Sequence, residues 1–252
     1  KSVILVVEDH ADVRKYIRGS LEPLYTVEEA CDGKEGIAKA KEIIPDLIVS
    51  DIMMPEIDGN ELCRRVKKDI RTSHIPVVML TARASEDSII QGLETGADDY
   101  ITKPFNSKIL VARIKNLIEL RSHLQQKIQK QMLLQPNEIP ISSMDQEFIK
   151  ELQDLIEKNL SDPEFHVEQL SKKLYMNRAT LYRKIKALSG ETPTEFIRSY
   201  RLKRAAQLLR GKFGNVTEVA LEVGFNNMAY FAERFKEKFH QLPSIYQASE
   251  SK

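Results

Sequence analysis

Leu47-Ile48-Val49-Ser50-Asp51-Ile52-Met53-Met54-Pro55 is a short apolar run that closes on a carboxylate. Four or more apolar residues rich in branched side chains, bounded by turn formers, read as a strand covered on both faces. The same design recurs on either side. Val3–Val7 runs into Glu8-Asp9, Val77–Thr81 ends on a threonine, and 100–102 runs into Lys103, with a further β-rich run at 25–28. Between the runs lie amphipathic helical patterns at Ala11–Leu21, 34–43, 60–69 and 86–95, and a fifth begins near Ser107. Five strand–helix units of this kind predict an α/β fold, a doubly wound five-stranded parallel sheet with helices on both faces.

Sheets of this type bind ligands beyond the carboxyl ends of their strands, where the strand order reverses. Glu8, Asp9, Asp51, Thr81 and Lys103 all stand at such ends. Three crowded carboxylates repel one another unless a divalent cation sits among them, and hard oxygen ligands suit Mg²⁺. A lysine and a threonine hydroxyl supply a positive charge and a donor for phosphoryl oxygens. An aspartate can itself be the nucleophile in phosphoryl transfer.

Beyond Leu117 the helical pattern runs on through Leu120, Leu124 and Ile128 and ends before Pro136; that spacing would suit a short coiled-coil seam. The stretch 135–143 carries two prolines and no period, and reads as a linker. From Asp145 onward no strand is visible, and helical patterns are separated by Asp162-Pro163, Gly190, 211–214, Gly224 and Pro243. The expected division is 1–122, a helical extension and linker at 123–144, and an all-α domain at 145–252. The all-α part is strongly basic. From Lys172 to Lys212 there are 12 Lys and Arg against two acids, Glu191 and Glu195, a balance of +10 in a chain whose net charge is +1. Such a block is either an electrostatic footprint for nucleic acid or a solvated face.

The pattern inside that block favours nucleic acid. Val167, Leu170 and Leu174 mark one short helix, Met176-Asn177 a turn with Asn177 as a candidate N-cap, and Leu181, Ile185 and Leu188 the inner face of the next helix. The other face of that helix carries Arg178, Tyr182, Arg183 and Lys186. Two short helices joined by a tight turn, the second basic outside and apolar inside, make a helix-turn-helix. A second copy follows, with Val216, Val219, Ala220 and Val223, a turn at Gly224, and a helix over 227–239 whose Phe231, Phe235 and Phe239 point to a core. Pro193–Arg210, capped by Thr192, reads as the helix joining the two copies.

Hydrophobic residues at 42% and charged residues at 30% fit ordinary globular cores. No apolar run approaches the roughly 20 residues that span a bilayer. Val3–Val7 is too short for a secretory leader and is followed by acids. Cys31 and Cys63 have no metal-type spacing, so a reducing cytoplasm is expected. The chain begins at Lys1, which suggests a fragment of something longer or a processed chain.

The first 120 residues resemble the response-regulator receiver family, a flavodoxin-like fold. The resemblance is carried by Val6-Val7-Glu8-Asp9, by Ser50-Asp51-Ile52-Met53-Met54-Pro55 with Asp58-Gly59, by Leu80-Thr81-Ala82, and by 100–105, Tyr-Ile-Thr-Lys-Pro-Phe. It implies that Asp51 accepts a phosphoryl group from a histidine kinase. It implies that Asp9, Asp51 and the Met53 carbonyl bind Mg²⁺, with Glu8 holding a metal-bound water. Lys103 would pair with the phosphate, Thr81 would swing towards it, and Tyr100 would turn inward as a switch. The face so changed would be built by the fourth helix pattern, the fifth strand and the fifth helix pattern. Lys103-Pro104 is expected to be cis.

From Asp145 to Gln247 the chain resembles the AraC-type DNA-binding domain. The matching residues are 181–186 (Leu-Tyr-Arg-Lys-Ile-Lys), 193–197 (Pro-Thr-Glu-Phe-Ile), 201–205 (Arg-Leu-Lys-Arg-Ala), Val223-Gly224-Phe225, Tyr230-Phe231 and the tail from Phe239 to Tyr246. Two positions depart from the family: His240 where relatives usually have Gly, and Gln247 where they often have Arg. The resemblance implies two recognition helices in successive major grooves of double-stranded DNA. Asn177, Arg178, Ala179, Tyr182 and Arg183 would face DNA from the first, and Asn227, Met228, Ala229, Tyr230 and Glu233 from the second. Asn227 reads a base or caps its helix. Tyr182 and Tyr230 read bases, touch phosphate or pack. Lys184, Lys186 and Arg234 touch phosphate or lie on plain surface.

Receiver and AraC-type domain in this order resemble the cytoplasmic end of hybrid two-component sensors of Bacteroidetes, in which a kinase precedes them in one chain. A homodimer formed on phosphorylation and contact with RNA polymerase are the further partners implied. A free-standing regulator that binds DNA constitutively is the main alternative. An aspartyl-phosphate phosphatase fits poorly, because such enzymes place a second acid two residues after the nucleophile, where this chain has Met53. A pure interaction adaptor does not explain the basic block.

Overall fold

Five strands, β1 (Val3–Val7), β2 (Thr26–Ala30), β3 (Leu47–Asp51), β4 (Val77–Thr81) and β5 (Asp99–Thr102), form one parallel sheet in the order β2-β1-β3-β4-β5. The computed structural model describes residues 1–82, 95–131 and 141–249. The helical pattern at 86–95 lies outside them but for Thr95, as does most of the linker read at 135–143. The described residues fall into two units: Lys1–Gln126 with Ile141–Asp145, and the remainder.

Alternation along the strands divides the first unit's core in two. Leu5, Val7, Ile48, Val77 and Met79 point to one face and meet Ile37 and Ala40 of α2 (Gly33–Ile43) and Leu62, Cys63 and Val66 of α3 (Gly59–Lys68). Ile4, Val6, Leu47, Val49, Val78 and Leu80 point to the other, against Ile17 and Leu21 of α1 (Ala11–Leu21) and Leu110 and Ile114 of α4 (Ser107–Gln131). The β2 strand runs to Ala30 rather than stopping at Glu28. It is an edge strand, so Glu28 and Glu29 can pair with Leu5 and Val6 while their side chains reach towards solvent. Register then levels the strand ends. Val7 lies opposite Ser50, Asp51 opposite Leu80, and Thr81 opposite Thr102.

The second unit is helical throughout its described residues: α5 (Ser143–Lys158, which begins in the first unit), α6 (Val167–Lys173), α7 (Arg178–Ser189), α8 (Pro193–Arg210), α9 (Val216–Glu222), α10 (Met228–Phe239) and α11 (Pro243–Ser249). Its centre is α8, which packs against α7, α9, α10 and α11. Phe196, Ile197, Tyr200, Leu202, Ala205, Ala206 and Leu209 are buried around much of its girth, as expected of a helix surrounded by others.

The seam read at Leu120, Leu124 and Ile128 does not hold together. Leu120 is exposed, whereas Ile128 is buried and its neighbour Gln129 donates its side-chain amide to the Ser189 carbonyl at 2.7 Å within the second unit. The end of α4 is therefore committed to that unit. Phe239 is half-buried, while Phe231 and Phe235 are fully enclosed.

Candidate functional site

At the carboxyl end of the sheet, one carboxylate oxygen each of Glu8, Asp9 and Asp51 lies within 4.8 Å of the others. Glu8 is buried, Asp51 is 6% exposed, and Asp9 stands at the mouth. Lys103 bridges two of them, its Nζ 2.8 Å from Glu8 Oε2 and 3.0 Å from Asp51 Oδ2. Backbone pairing fixes the start of that reach, because the Lys103 N–H donates to the Thr81 carbonyl at 2.7 Å; the Lys103-Pro104 bond is cis, as expected. Burial pushes the Glu8 carboxyl above its ordinary value; the Lys103 hydrogen bond opposes this and repulsion from Asp51 adds to it. Burial alone would lower the Lys103 ammonium, but its bonds to Glu8 and Asp51 win and raise it. The pocket thus holds more negative charge than one lysine comfortably balances, a donor set that fits a hard divalent cation.

Thr81 is buried at the end of β4, in line with the sheet-end reading. The Met53 side chain is 73% exposed, so only its backbone could serve the pocket. Tyr100 is half-buried against the core face that carries α2 and α3, and its hydroxyl lies 3.1 Å from Thr95 Oγ1. Asp58 caps α3 by accepting from the Glu61 N–H at 2.7 Å, and the following Gly59 lies so close to β3 that a Cβ there would come within 2.1 Å of the Asp51 carbonyl oxygen. The Asp58-Gly59 pair therefore lets the loop after Asp51 fold back tightly.

In the second unit, α6–α7 and α9–α10 form two helix-turn-helices. Asn177 and Asn227 both act as caps, accepting from the Thr180 N–H at 2.8 Å and the Tyr230 N–H at 2.9 Å. Of the two readings of Asn227, capping is the one the structure contains. Ala179, Arg183 and Ala229 are exposed, and Met228 is half-buried. Arg178 is exposed and pairs with Glu168 at 2.5 Å; Glu233 pairs with its neighbour Arg234 at 3.1 Å. Tyr182 and Tyr230 each leave about two-fifths of their surface to solvent (41% and 40%), with Lys186 over the first ring and Arg234 over the second.

One surface reading is overturned. Lys184 is fully buried, its ammonium 4.9 Å from the centre of the Phe148 ring, and it is neither plain surface nor a phosphate contact. Its place on α7 explains this: it lies three residues after Leu181 and four before Leu188, on the inward stripe. At the family departure His240, the backbone is left-handed with φ 59°, the conformation for which glycine is preferred after a helix. Gln247 donates to the Gly214 carbonyl at 2.8 Å.

Residues 4–115 match the response regulator receiver domain, and residues 170–249 match a helix-turn-helix domain. The chain therefore carries a receiver domain of the response-regulator family followed by an AraC-type helix-turn-helix domain. It is 45% identical over 247 residues to histidine kinase P4 of Formosa agariphila, a match that covers 98% of this chain and 18% of that protein. It is 48% identical over 116 residues to the phosphate regulon transcriptional regulatory protein PhoB of Pseudomonas aeruginosa, covering 46% of this chain and 51% of that one. The signal receiver domain of a signal transduction histidine kinase from Syntrophus aciditrophicus matches at 37% identity and TM-score 0.45, over 47% of this chain and 91% of that one. The chain spans less than two thirds of each of these two curated relatives. Among the described residues no helix is long and apolar enough to cross a membrane.

Proposed function

We propose that Asp51 is a phosphoacceptor whose charge state controls pairing of the receiver and binding of DNA by 145–252. In this reading 1–122 is the phosphoacceptor domain, 123–144 the extension and linker, and the whole works in the cytoplasm as the output part of a hybrid two-component system. The observation that carries it is the position of Lys103, within 3.0 Å of Asp51 at the mouth of a three-carboxylate cluster. An Asp51 carboxylate oxygen attacks the phosphorus of a kinase phosphohistidine, the P–N bond breaks, and the freed imidazole keeps the electron pair. Asp9, Asp51 and the Met53 carbonyl would hold Mg²⁺, with Glu8 holding a water on it. The cation, when bound, offsets negative charge gathering on the transferred oxygens.

Lys103 then trades its bond to the Asp51 carboxylate for one to the new phosphoryl group, and the Thr81 hydroxyl donates to another phosphoryl oxygen. Tyr100 follows inward as Thr81 moves. The result is a shift between two packings of the receiver, one of which pairs as a homodimer. Paired chains place two DNA-binding domains on neighbouring sites, where RNA polymerase can be engaged. The DNA-facing set is Asn177, Arg178, Ala179, Tyr182 and Arg183 with Asn227, Met228, Ala229, Tyr230 and Glu233. Arg183, exposed on α7, is suited to pair with guanine.

Selection of duplexes from a random pool, with and without Mg²⁺ and a small acyl-phosphate donor, tests this. One motif enriched only with donor, and lost in Asp51→Asn, is expected. Equal enrichment in both arms would mean constitutive binding and would remove phosphorylation as the gate.

A further inference from the structure

Two adjoining concavities in the second unit connect the two recognition helices. One, of about 530 Å³, is lined by Arg178 and Tyr182 from the start of α7. The other, of about 240 Å³, is lined by Asn226 and Tyr230 from the start of α10, with Arg198 and Arg201 of α8. They share His166, Val167 and Thr194, so together they form one trough running from the first recognition helix to the second. Two helices that enter successive major grooves on one face of a duplex leave the protein between them facing the sugar-phosphate backbone.

The charges in the trough are unevenly spent. Arg178 is paired with Glu168, the one acid in the lining. Arg201 is 8% exposed and gives its guanidinium to the carbonyls of Asp162, at 2.5 Å, and Gly224, at 3.5 Å; it supports the wall. Arg198 is half-exposed. It donates to the Tyr230 hydroxyl at 3.2 Å, and among the described residues no carboxylate forms an ion pair with it, in contrast to Arg204 and Arg234 on the same unit. A guanidinium that makes no ion pair, although it acts electrostatically on Glu195 one turn before it on α8, stands beside an exposed Thr194 hydroxyl and a tyrosine hydroxyl and suits a phosphate oxyanion.

We propose that this trough seats a phosphate of the DNA backbone on Arg198, with Thr194 and Tyr230 beside it, making α8 a third DNA contact between the recognition helices. The inference rests on the reading of 145–252 as the DNA-binding domain. Arg198 carries no base information; it sets register and adds affinity on any sequence.

The test is duplex binding by the full chain in the presence of Mg²⁺ and the acyl-phosphate donor, followed by fluorescence anisotropy across a KCl series on the selected motif and on a scrambled duplex. Arg198→Ala is expected to weaken both duplexes by the same factor, about fivefold at 0.15 M salt. The slope of log affinity against log salt should become shallower by about one, and Arg198→Lys should restore it. Arg183→Ala, as contrast, should lose affinity on the motif alone. Circular dichroism melts establish that each variant is folded. An unmoved slope and affinity in Arg198→Ala would overturn the proposal, and so would a loss confined to the motif. Inorganic phosphate at constant ionic strength supplies the remaining arm. If it raises the melting temperature of the DNA-free chain, and Arg198→Ala removes that rise while leaving the salt slope intact, the trough is a free-anion site and the backbone contact is refuted. If the unsubstituted chain binds no duplex at all, the DNA-binding reading itself fails, whereas binding with an unmoved slope sinks only the trough.

Discussion

An Asp51→Asn chain is expected to gain no phosphoryl group from a small acyl-phosphate donor under conditions where the unsubstituted chain becomes phosphorylated, as read by intact-protein mass spectrometry. The amide keeps the size and planarity of the carboxyl but offers no anionic oxygen to attack phosphorus. It also takes away one of three clustered carboxylates and the 3.0 Å ion pair with Lys103. The loss should be complete rather than partial, since Glu8 is buried and held by Lys103, and Asp9 sits at the mouth rather than opposite the lysine. Phosphorylation that persists in Asp51→Asn and maps to another carboxylate would remove Asp51 from its role.

The second large effect concerns stability. Phe235→Ala is expected to cost about 3–5 kcal/mol, the usual range for emptying a buried aromatic site. Phe235 is completely buried, with ring centres of Phe239 at 4.6 Å, Tyr246 at 5.3 Å in an edge-on arrangement, and Phe231 at 5.6 Å. Losing it removes an α10 side chain that packs on Tyr246 of α11. A domain's whole stability is about 5–15 kcal/mol, so the helical unit should open readily. Hydrogen exchange of amides in Met228–Phe239 measures this, and a change equivalent to less than about 1 kcal/mol would show that the cluster does not hold the unit together. Phosphoryl uptake at Asp51 is expected to survive, because Phe235 belongs to the second unit.

Much of both sites was legible in the sequence because the chemistry sits where strands stop. Four of the five strand runs, all but β2, end on or beside Glu8, Asp51, Thr81 or Lys103, and in a parallel sheet such ends are brought level by register alone. The caps Asn177 and Thr192 were legible for a similar reason, since the cap precedes an apolar period. Where the reading failed, type was weighed above phase. Residue type alone puts Lys184 outward, whereas its spacing from Leu181 and Leu188 puts it inward, where it is found. Ile128 fits a seven-residue period equally well for a second chain or for its own domain, and only three-dimensional packing distinguishes them. The pairing of Arg178 with Glu168 joins two helices across a turn, a contact that local periodicity does not encode. The trough beside Arg198 was invisible because its walls come from segments far apart in the chain.

The burial of Lys184 also makes it a clock. An amine-reactive acylating reagent should modify exposed Lys186 on the same helix at once and leave Lys184 untouched while the domain stays closed. Label arriving at Lys184 would then count openings of the helical unit, and its rate relative to Lys186, followed by peptide mass spectrometry with and without bound DNA, would tell how often the recognition helix comes loose in each state.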